Sequence, residues 1–355
     1  FIAPGVGQTT IGNPNLSWEK AKITNIGFNS ILSNGLGIDF EYFIRETNDI
    51  LFDIPINVLT GFTSQTSNAA SMENKGWELG LRYNKTFGDL KVQLSGQLSK
   101  VENTVTDLNP KVDGGDLDRI LYSSRILGEG FPFLGFYVLK TDGLITGSPD
   151  GPNAGMGAQA GDLNFIDSSG DGQINLDDRE YVGKDIPTYT YGFQLGLQYK
   201  SFDLAAIFQG EADVQYYGDF ELWRPDAGGV VTWKKWITES VTNNPSGTFP
   251  RAGSTTSSYR FVNDFFLYDR DYLRLKNLQI GYNIPTDSLP IDGLRLFFNA
   301  TNLLTFTNLP LVDPEQRSGA ATTADPALGE QGWADRPNAT YPNSRTISFG
   351  LSAKF

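Results

Sequence analysis

Residues 189–211 carry the pattern that most constrains how this 355-residue chain can fold. Apolar and polar side chains alternate there, and after a turn at Lys200 and Ser201 the chain returns with the same alternation. The apolar positions are Tyr189, Tyr191, Phe193, Leu195, Leu197, Tyr199, Leu204, Ala206 and Phe208. Because successive side chains of a β-strand point to opposite sides, the pattern predicts a hairpin with one apolar and one polar face.

The length of these two strands points to a membrane rather than to a soluble sandwich. A strand of a soluble sandwich usually has about five or six residues. Strands of about ten residues, with an outward apolar face and aromatic residues at both ends, are typical of an outer-membrane barrel wall. The hairpin therefore predicts an all-β fold.

Composition excludes several function classes. A net charge of −13 argues against nucleic acid as a partner, because phosphates require basic surfaces. The chain has no cysteine and no histidine, which removes disulfides, thiolate chemistry, the usual zinc ligand sets and histidine-dependent catalysis. Carboxylate pairs such as Asp39 and Glu41 resemble ordinary wetted positions. We therefore predict no catalytic residue and no enzymatic activity.

Alternating runs like the one at 189–211 recur along the chain. They occupy residues 24–32, 36–45, 77–84, 90–99, 278–284, 294–301 and 345–355. Short and long connections alternate between them, as in outer-membrane barrels with short periplasmic turns and long extracellular loops. The long segments are 48–75, 102–188, 212–271 and 306–343.

This organisation predicts an antiparallel transmembrane β-barrel segment with about nine spanning strands and long extracellular loops. The predicted division is an extracellular loop (1–22), two barrel hairpins (23–101), an extracellular excursion (102–188), and C-terminal barrel strands with two more long loops (189–355). Single-chain bacterial barrels have even strand counts, so an odd count predicts the C-terminal part of a larger barrel.

The segment 167–178 has the oxygen spacing of a calcium-binding loop. Side-chain oxygens fall at Asp167, Ser169, Asp171, Asn175 and Asp178, with a backbone carbonyl at Gln173. Gly172 provides the sharp turn such loops need, and Ile174 is expected to point inward. The sequence thus predicts a structural calcium site. The alternative is a Gly-rich acidic turn held by side-chain hydrogen bonds without an ion.

Three tryptophans, Trp223, Trp233 and Trp236, fall in the second long excursion. Aromatic faces on a surface loop suit contact with a substrate or a lid-like partner. The alternative is that they pack the loop's own core or form an aromatic girdle at the membrane rim.

Charged residues on the polar faces of the predicted strands include Asp39, Glu41, Glu78, Arg82 and Arg295. They could line a path for a substrate. Pairing with one another, or with a plug, is the interpretation we favour for them.

Several segments, taken in order, resemble the C-terminal half of the SusC-like (SusC/RagA) TonB-dependent transporters. They are residues 13–19 (NPNLSWE), 73–79 (ENKGWEL), 135–143 (GFYVLKTDG), 162–179, 189–211, 272–278 (YLRLKNL), 302–308 (NLLTFTN) and 345–355. The resemblance implies a 22-stranded barrel in the outer membrane of a Gram-negative bacterium, plugged by an N-terminal domain. It also implies import of glycans or oligopeptides with a SusD-like surface lipoprotein and energy from TonB.

Two other functions fit the pattern less well. The first is a self-contained small outer-membrane porin or adhesin. The second is a soluble, calcium-stabilised carbohydrate-binding β-protein, in which a second sheet would have to cover the apolar faces of about nine strands.

Overall fold

The computed structural model describes residues 11–56, 58–62, 64–108, 111–112, 115–116, 119–218, 238–242, 244–251, 261–286, 290–310, 312–316 and 342–355. The strands are β1 (Lys20–Ile31), β2 (Leu36–Pro55), β3 (Ser64–Phe87), β4 (Leu90–Leu108), β5 (Lys111–Val112), β6 (Gly115–Asp116), β7 (Arg119–Tyr122), β8 (Arg125–Gly128), β9 (Gly135–Leu139), β10 (Thr141–Leu144), β11 (Leu163–Phe165), β12 (Arg179–Gly183), β13 (Tyr189–Tyr199), β14 (Phe202–Ala212), β15 (Gln215–Tyr217), β16 (Leu267–Asp269), β17 (Tyr272–Ile284), β18 (Gly293–Thr307) and β19 (Thr346–Lys354). The helical elements whose bounds lie within these ranges are α1 (Gly151–Gly155) and the 3₁₀ turns Val58–Thr60, Leu176–Asp178 and Asp264–Phe266. None of the helices in the described ranges is long and apolar enough to span a membrane.

One nine-stranded antiparallel sheet, which we call the wall, dominates the structure. Its strand order is β1-β2-β3-β4-β13-β14-β17-β18-β19. Strands β1 and β19 form its edges and do not pair with each other within the described ranges. The prediction of about nine antiparallel wall strands is confirmed.

Tight turns join the wall strands at one end of the sheet. At the β1–β2 turn Gly35 has φ = 88°, and the Asn34 side chain accepts a hydrogen bond from the Leu36 N–H at 3.0 Å. At the β13–β14 turn Lys200 has φ = 51°. Two-residue hairpin turns require positive φ, and three-residue loops such as residues 33–35 end on a residue of positive φ, so these sequences fix the register of the strands that follow.

The two faces of the wall differ as the alternation predicts. In β13, Phe193 is exposed while Tyr191, Leu195 and Leu197 are half-buried. Phe193 stacks on Phe208 of β14, with ring centroids 4.2 Å apart. None of these outer side chains is fully buried, as they would be beneath a second sheet. The soluble sandwich alternative is therefore wrong.

The prediction of a long loop at 48–75 is wrong. Strand β2 continues to Pro55 and β3 begins at Ser64, so the two strands run on as one long hairpin. Register shifts between Thr47 and Ile50 and between Ile50 and Leu51 break the sequence alternation. Only about ten residues are needed to cross the membrane, so these strands project beyond it.

The projecting strand ends and the excursions form a second region, which we call the cap. Its buried apolar clusters join parts of the chain that are distant in sequence. One comprises Ile54, Ala69, Ala70, Val105, Leu108, Ile120, Tyr122, Leu127 and Leu134; a second comprises Phe136, Val138, Tyr217, Phe249 and Phe266; a third comprises Leu139, Leu163 and Phe165; a fourth comprises Tyr216 and Leu309. The buried apolar core of the described residues therefore lies mostly in the cap.

Candidate functional site

The polar face of the wall carries a groove of about 610 Å³ that crosses β2, β3, β4, β13 and β14. The residues of its lining that belong to the polar face are Asp39, Gly80, Arg82, Ser95, Gln97, Thr190, Gly192, Gln194, Ile207, Gln209 and Glu211. None of these inward positions is aromatic. The groove therefore offers mainly amide, hydroxyl and charged groups to whatever lies against it.

Two ion pairs between strands of the wall lie on this inner face in the described part of the chain. Arg82 Nη2 is 2.7 Å from Asp39 Oδ2, and Arg295 Nη2 is 2.5 Å from Asp203 Oδ2. The second pair reaches across the intervening strand β17 at Gly281, where a Cβ would clash with both partners. Asp39 and Arg82 thus pair with each other, as predicted, whereas Arg295 pairs with Asp203, which was not in the predicted set.

Glu41 and Glu78 are not paired with other members of this set, and pairing with a plug stays the prediction for them. They lie directly opposite each other in β2 and β3, and neither forms an ion pair within the described part of the chain.

At the cap end of the groove, a buried arginine joins three segments of the chain. Arg270 is 0% exposed, and its Nη2 lies 3.0 Å from Glu211 Oε2 at the end of β14. It also donates to the backbone carbonyls of Pro314, at 2.9 Å, and Asp185, at 3.2 Å. Asp185 in turn pairs with buried Arg125 at 3.0 Å. This chain of contacts ties the excursions to the wall.

Residues 312–316, which we call the strap, lie beside this arginine. Arg274 Nη2 is 2.8 Å from Asp313 Oδ1, and its Nη1 is 3.1 Å from Glu315 Oε2. Lys276 Nζ is 2.8 Å from Glu315 Oε1. Two cations and two carboxylates thus hold the strap against the first residues of β17. Three of the four side chains are mostly buried.

Asp313 is the most enclosed carboxylate of the strap. Burial alone would raise its pKa, but hydrogen bonds from the Glu315 N–H, Arg274 and the Asn343 N–H lower the pKa below its ordinary value. Asp313 therefore stays ionised near neutral pH and remains a partner for Arg274.

The predicted calcium loop is closed by its own hydrogen bonds. Asp167 accepts from the N–H groups of Gly170, at 2.7 Å, and Gly172, at 2.9 Å. Asp178 accepts from the N–H groups of Ser169, at 3.0 Å, and Asn175, at 2.8 Å. The described residues contain no group of three or more His, Cys, Asp or Glu side chains arranged to hold a metal ion.

Two further predicted calcium ligands, Asp171 and Asn175, also form hydrogen bonds within the loop. Asp171 accepts from the Gln173 N–H at 2.8 Å and from the Asn175 amide at 3.1 Å. The inward position predicted for Ile174 is confirmed, because it packs against the cluster formed by Leu139, Leu163 and Phe165.

Asp178 is fully buried in this loop. Burial would raise its pKa, but the Ser169 and Asn175 N–H donors lower the pKa below its ordinary value. The ionised form is therefore stabilised by backbone amides. Trp223, Trp233 and Trp236 lie outside the described residues.

A polar inner face, an exposed apolar outer face and a folded cap at one end define the wall of an outer-membrane β-barrel. Comparison with known proteins agrees. The family model for the TonB dependent receptor-like β-barrel matches residues 1–303. The chain belongs to this family of outer-membrane proteins.

Three relatives show how far the likeness extends. TonB-dependent receptor P26 of Formosa agariphila is 32% identical, over 99% of this chain and 36% of its own length. TonB-dependent receptor P3 of the same organism is 31% identical, with the same coverage. A structure of the RagAB peptide transporter covers 99% of this chain and 37% of its own, with a TM-score of 0.75 and 26% identity. The chain thus spans about a third of the length of these proteins.

Sequence reasoning missed the arginine contacts at the groove's end. Arg274 lies before the alternating run at 278–284, and a register shift between Leu275 and Asn277 gives it the opposite parity to that run. Its partners, Asp313 and Glu315, lie beyond the next strand, and no local pattern connects them.

Proposed function

We propose that this chain forms part of the wall of a TonB-dependent outer-membrane importer for oligopeptides or glycans. The importer acts with a SusD-like surface lipoprotein, and transport is energised through TonB. Solute passes along the polar inner face, and the chain performs no covalent chemistry.

The observation that carries the proposal is the likeness to the RagAB peptide transporter along 99% of the chain. Of the two solute classes, oligopeptides have the additional support of that protein's description. The groove supports a polar solute of either class, because Gln97, Gln194 and Gln209 each offer a donor and an acceptor. Asp39 and Arg82, two charged residues of the groove lining, neutralise each other's charge by pairing.

The test uses the full-length protein, expressed with and without the lipoprotein encoded beside it. Uptake of an isotope-labelled tryptic digest and of a labelled malto-oligosaccharide mixture is measured in cells with and without TonB. We expect uptake of one probe that requires both TonB and the lipoprotein. Uptake that persists without TonB would instead indicate a porin.

We also propose that the loop at 167–178 binds calcium in a structural role. Its support is the ligand spacing and the carboxylates of Asp167 and Asp178, which both accept hydrogen bonds from the loop backbone. Calcium should slow proteolysis of the loop, and chelation should restore cleavage. Asp171→Asn should weaken this protection, whereas Asp177→Asn, outside the ligand set, should preserve it. Equal cleavage with and without calcium would leave the hydrogen-bonded turn as the better description.

A further inference from the structure

The strap lies on the inner side of the wall. Arg274 is opposite Gln209 of β14 and opposite Thr305 of β18. Gln209 belongs to the polar face, and residues directly opposite in a sheet point to the same side, so Arg274 points inward as well. Asp313 meets Arg274 there. The strap therefore lies against the inner face of β17 and not on its lipid-facing side.

The strap is linked to the groove through Arg270. Glu211 lines the groove and binds Arg270, and Arg270 donates to the Pro314 carbonyl of the strap at 2.9 Å. Arg274 of β17 lies directly opposite Gln209 of β14, which lines the groove. A solute moving along the groove toward β17 would thus meet the strap at its cap end.

Polar contacts, rather than a large apolar core, hold the strap in place. Val312 is only partly buried, against a small cluster whose buried members are Tyr216 and Leu309. Its polar contacts include the ion pairs of Asp313 and Glu315, the hydrogen bonds that both accept from Asn343, and the carbonyl of Pro314. Segments with few buried apolar contacts open at low free energy, and a polar solute can replace polar contacts without exposing apolar surface.

We propose that the strap is a gate over the groove, closed in this structure, that leaves the inner face of β17 when solute passes. Arg274 and Lys276 hold it closed through Asp313 and Glu315. This inference rests on the proposed import function, since the gate matters only if solute moves along the inner face.

Cross-linking tests whether the gate has to move. The chain has no cysteine, so Lys276→Cys and Glu315→Cys introduce a unique pair in this part of the full-length transporter. A short, reductant-cleavable thiol cross-linker joins them in cells that also carry the surface lipoprotein. The probe is the isotope-labelled tryptic digest.

We expect the double variant to import the digest before cross-linking, and the cross-linked protein to lose import about ten-fold or more, as for other lids that must open. Reductant should restore import. Import by the cross-linked protein at the rate of the reduced protein would overturn the proposal.

A second measurement reads the gate without transport. Lys276→Cys is labelled with a membrane-impermeant maleimide, alone and combined with Arg274→Met. Release of the strap should speed labelling about ten-fold. Arg295→Met, which breaks an inner-face ion pair away from the strap, is the matched control and should not change the labelling rate.

An unchanged labelling rate in the Arg274→Met background would overturn the gate. If the unmodified transporter imports neither the digest nor the sugar mixture, the proposed function fails, and the labelling rate still decides whether the strap closes over β17.

Discussion

The wall and the cap place the same kind of side chain in opposite surroundings. Phe349 of β19 is 81% exposed, whereas Phe136 of β9 is 0% exposed. Exposed apolar surface costs about 25 cal/mol per Å² in water but not in lipid. The difference shows that one chain is built for two solvents, with a cap that folds like a water-soluble domain and a wall that does not.

Charged groups differ between the two regions in a parallel way. In the wall, Asp39 and Arg82 pair in an exposed position, where such pairs contribute about 0–1 kcal/mol. In the cap, Arg270 is fully buried among Glu211 and two backbone carbonyls. Removing one partner of a buried pair typically costs about 3–5 kcal/mol. Ion pairs therefore stabilise the folded cap, whereas the charged side chains of the wall contribute little to stability and interact mainly with water.

The largest expected difference comes from truncating a ring in each region. Phe136→Ala should leave a cavity in the cap and destabilise it by about 3–5 kcal/mol. Phe349→Ala should cost clearly less, because lipid fills the vacated space. Hydrogen exchange of the cap and wall peptides measures both changes. Equal losses at the two sites would contradict the assignment of two solvents.

Arg270→Met should destabilise the cap by about 3–5 kcal/mol, because it removes one partner of the Arg270–Glu211 ion pair, in which the arginine is fully buried. The strap and residues 183–187 should then exchange amide hydrogens faster. Arg82→Met is the control in the wall and should change exchange little. A small effect of Arg270→Met would mean that the cap does not depend on its buried charges.

Adjacent residues of β13 sharpen the two-sidedness of the wall. Leu195→Arg places a charge on the lipid face and should destabilise the barrel by about 2–4 kcal/mol. Gln194→Arg adds the same charge to the inner face and should be nearly neutral. Heat-dependent gel mobility and urea unfolding in vesicles measure the difference. Similar losses would show that the faces had been assigned wrongly.

The smallest effect is expected from pH. The pKa of Asp313 is lowered in the folded protein, so its stabilising contribution is present above its unfolded pKa of about 3.9 and is lost as pH falls through the folded value. Exchange in the strap, corrected for intrinsic rates, should be constant between about pH 5 and 8 and rise only below about pH 4. Asp313→Asn should remove this dependence.

Sequence alternation was sufficient to predict the wall because period-two burial is written into each strand. Runs such as residues 90–99 gave both the strand and its inner face. It failed at 48–75, where bulges near Ile50 break the alternation although the strands continue. Hydrogen bonding, rather than side-chain burial, defines a strand there, and the sequence does not record it.

The site could be predicted only in part. The inward directions of Asp39, Arg82 and Arg295 follow from alternation, but partners on other strands depend on register. The contacts of Arg270 and Arg274 depend further on where the excursions fold back. Those positions are set by tertiary packing in the cap, which no local pattern specifies.

Gly281 has a consequence for how the sheet is assembled. A slip of β17 by two residues would preserve its inner and outer faces, so hydrophobic patterning alone does not prevent it. Such a slip would bring Gln279 or Asn283 between Asp203 and Arg295, where any side chain obstructs their contact. The absence of a side chain at Gly281 thus favours the native alignment of the three strands over alignments shifted by two residues.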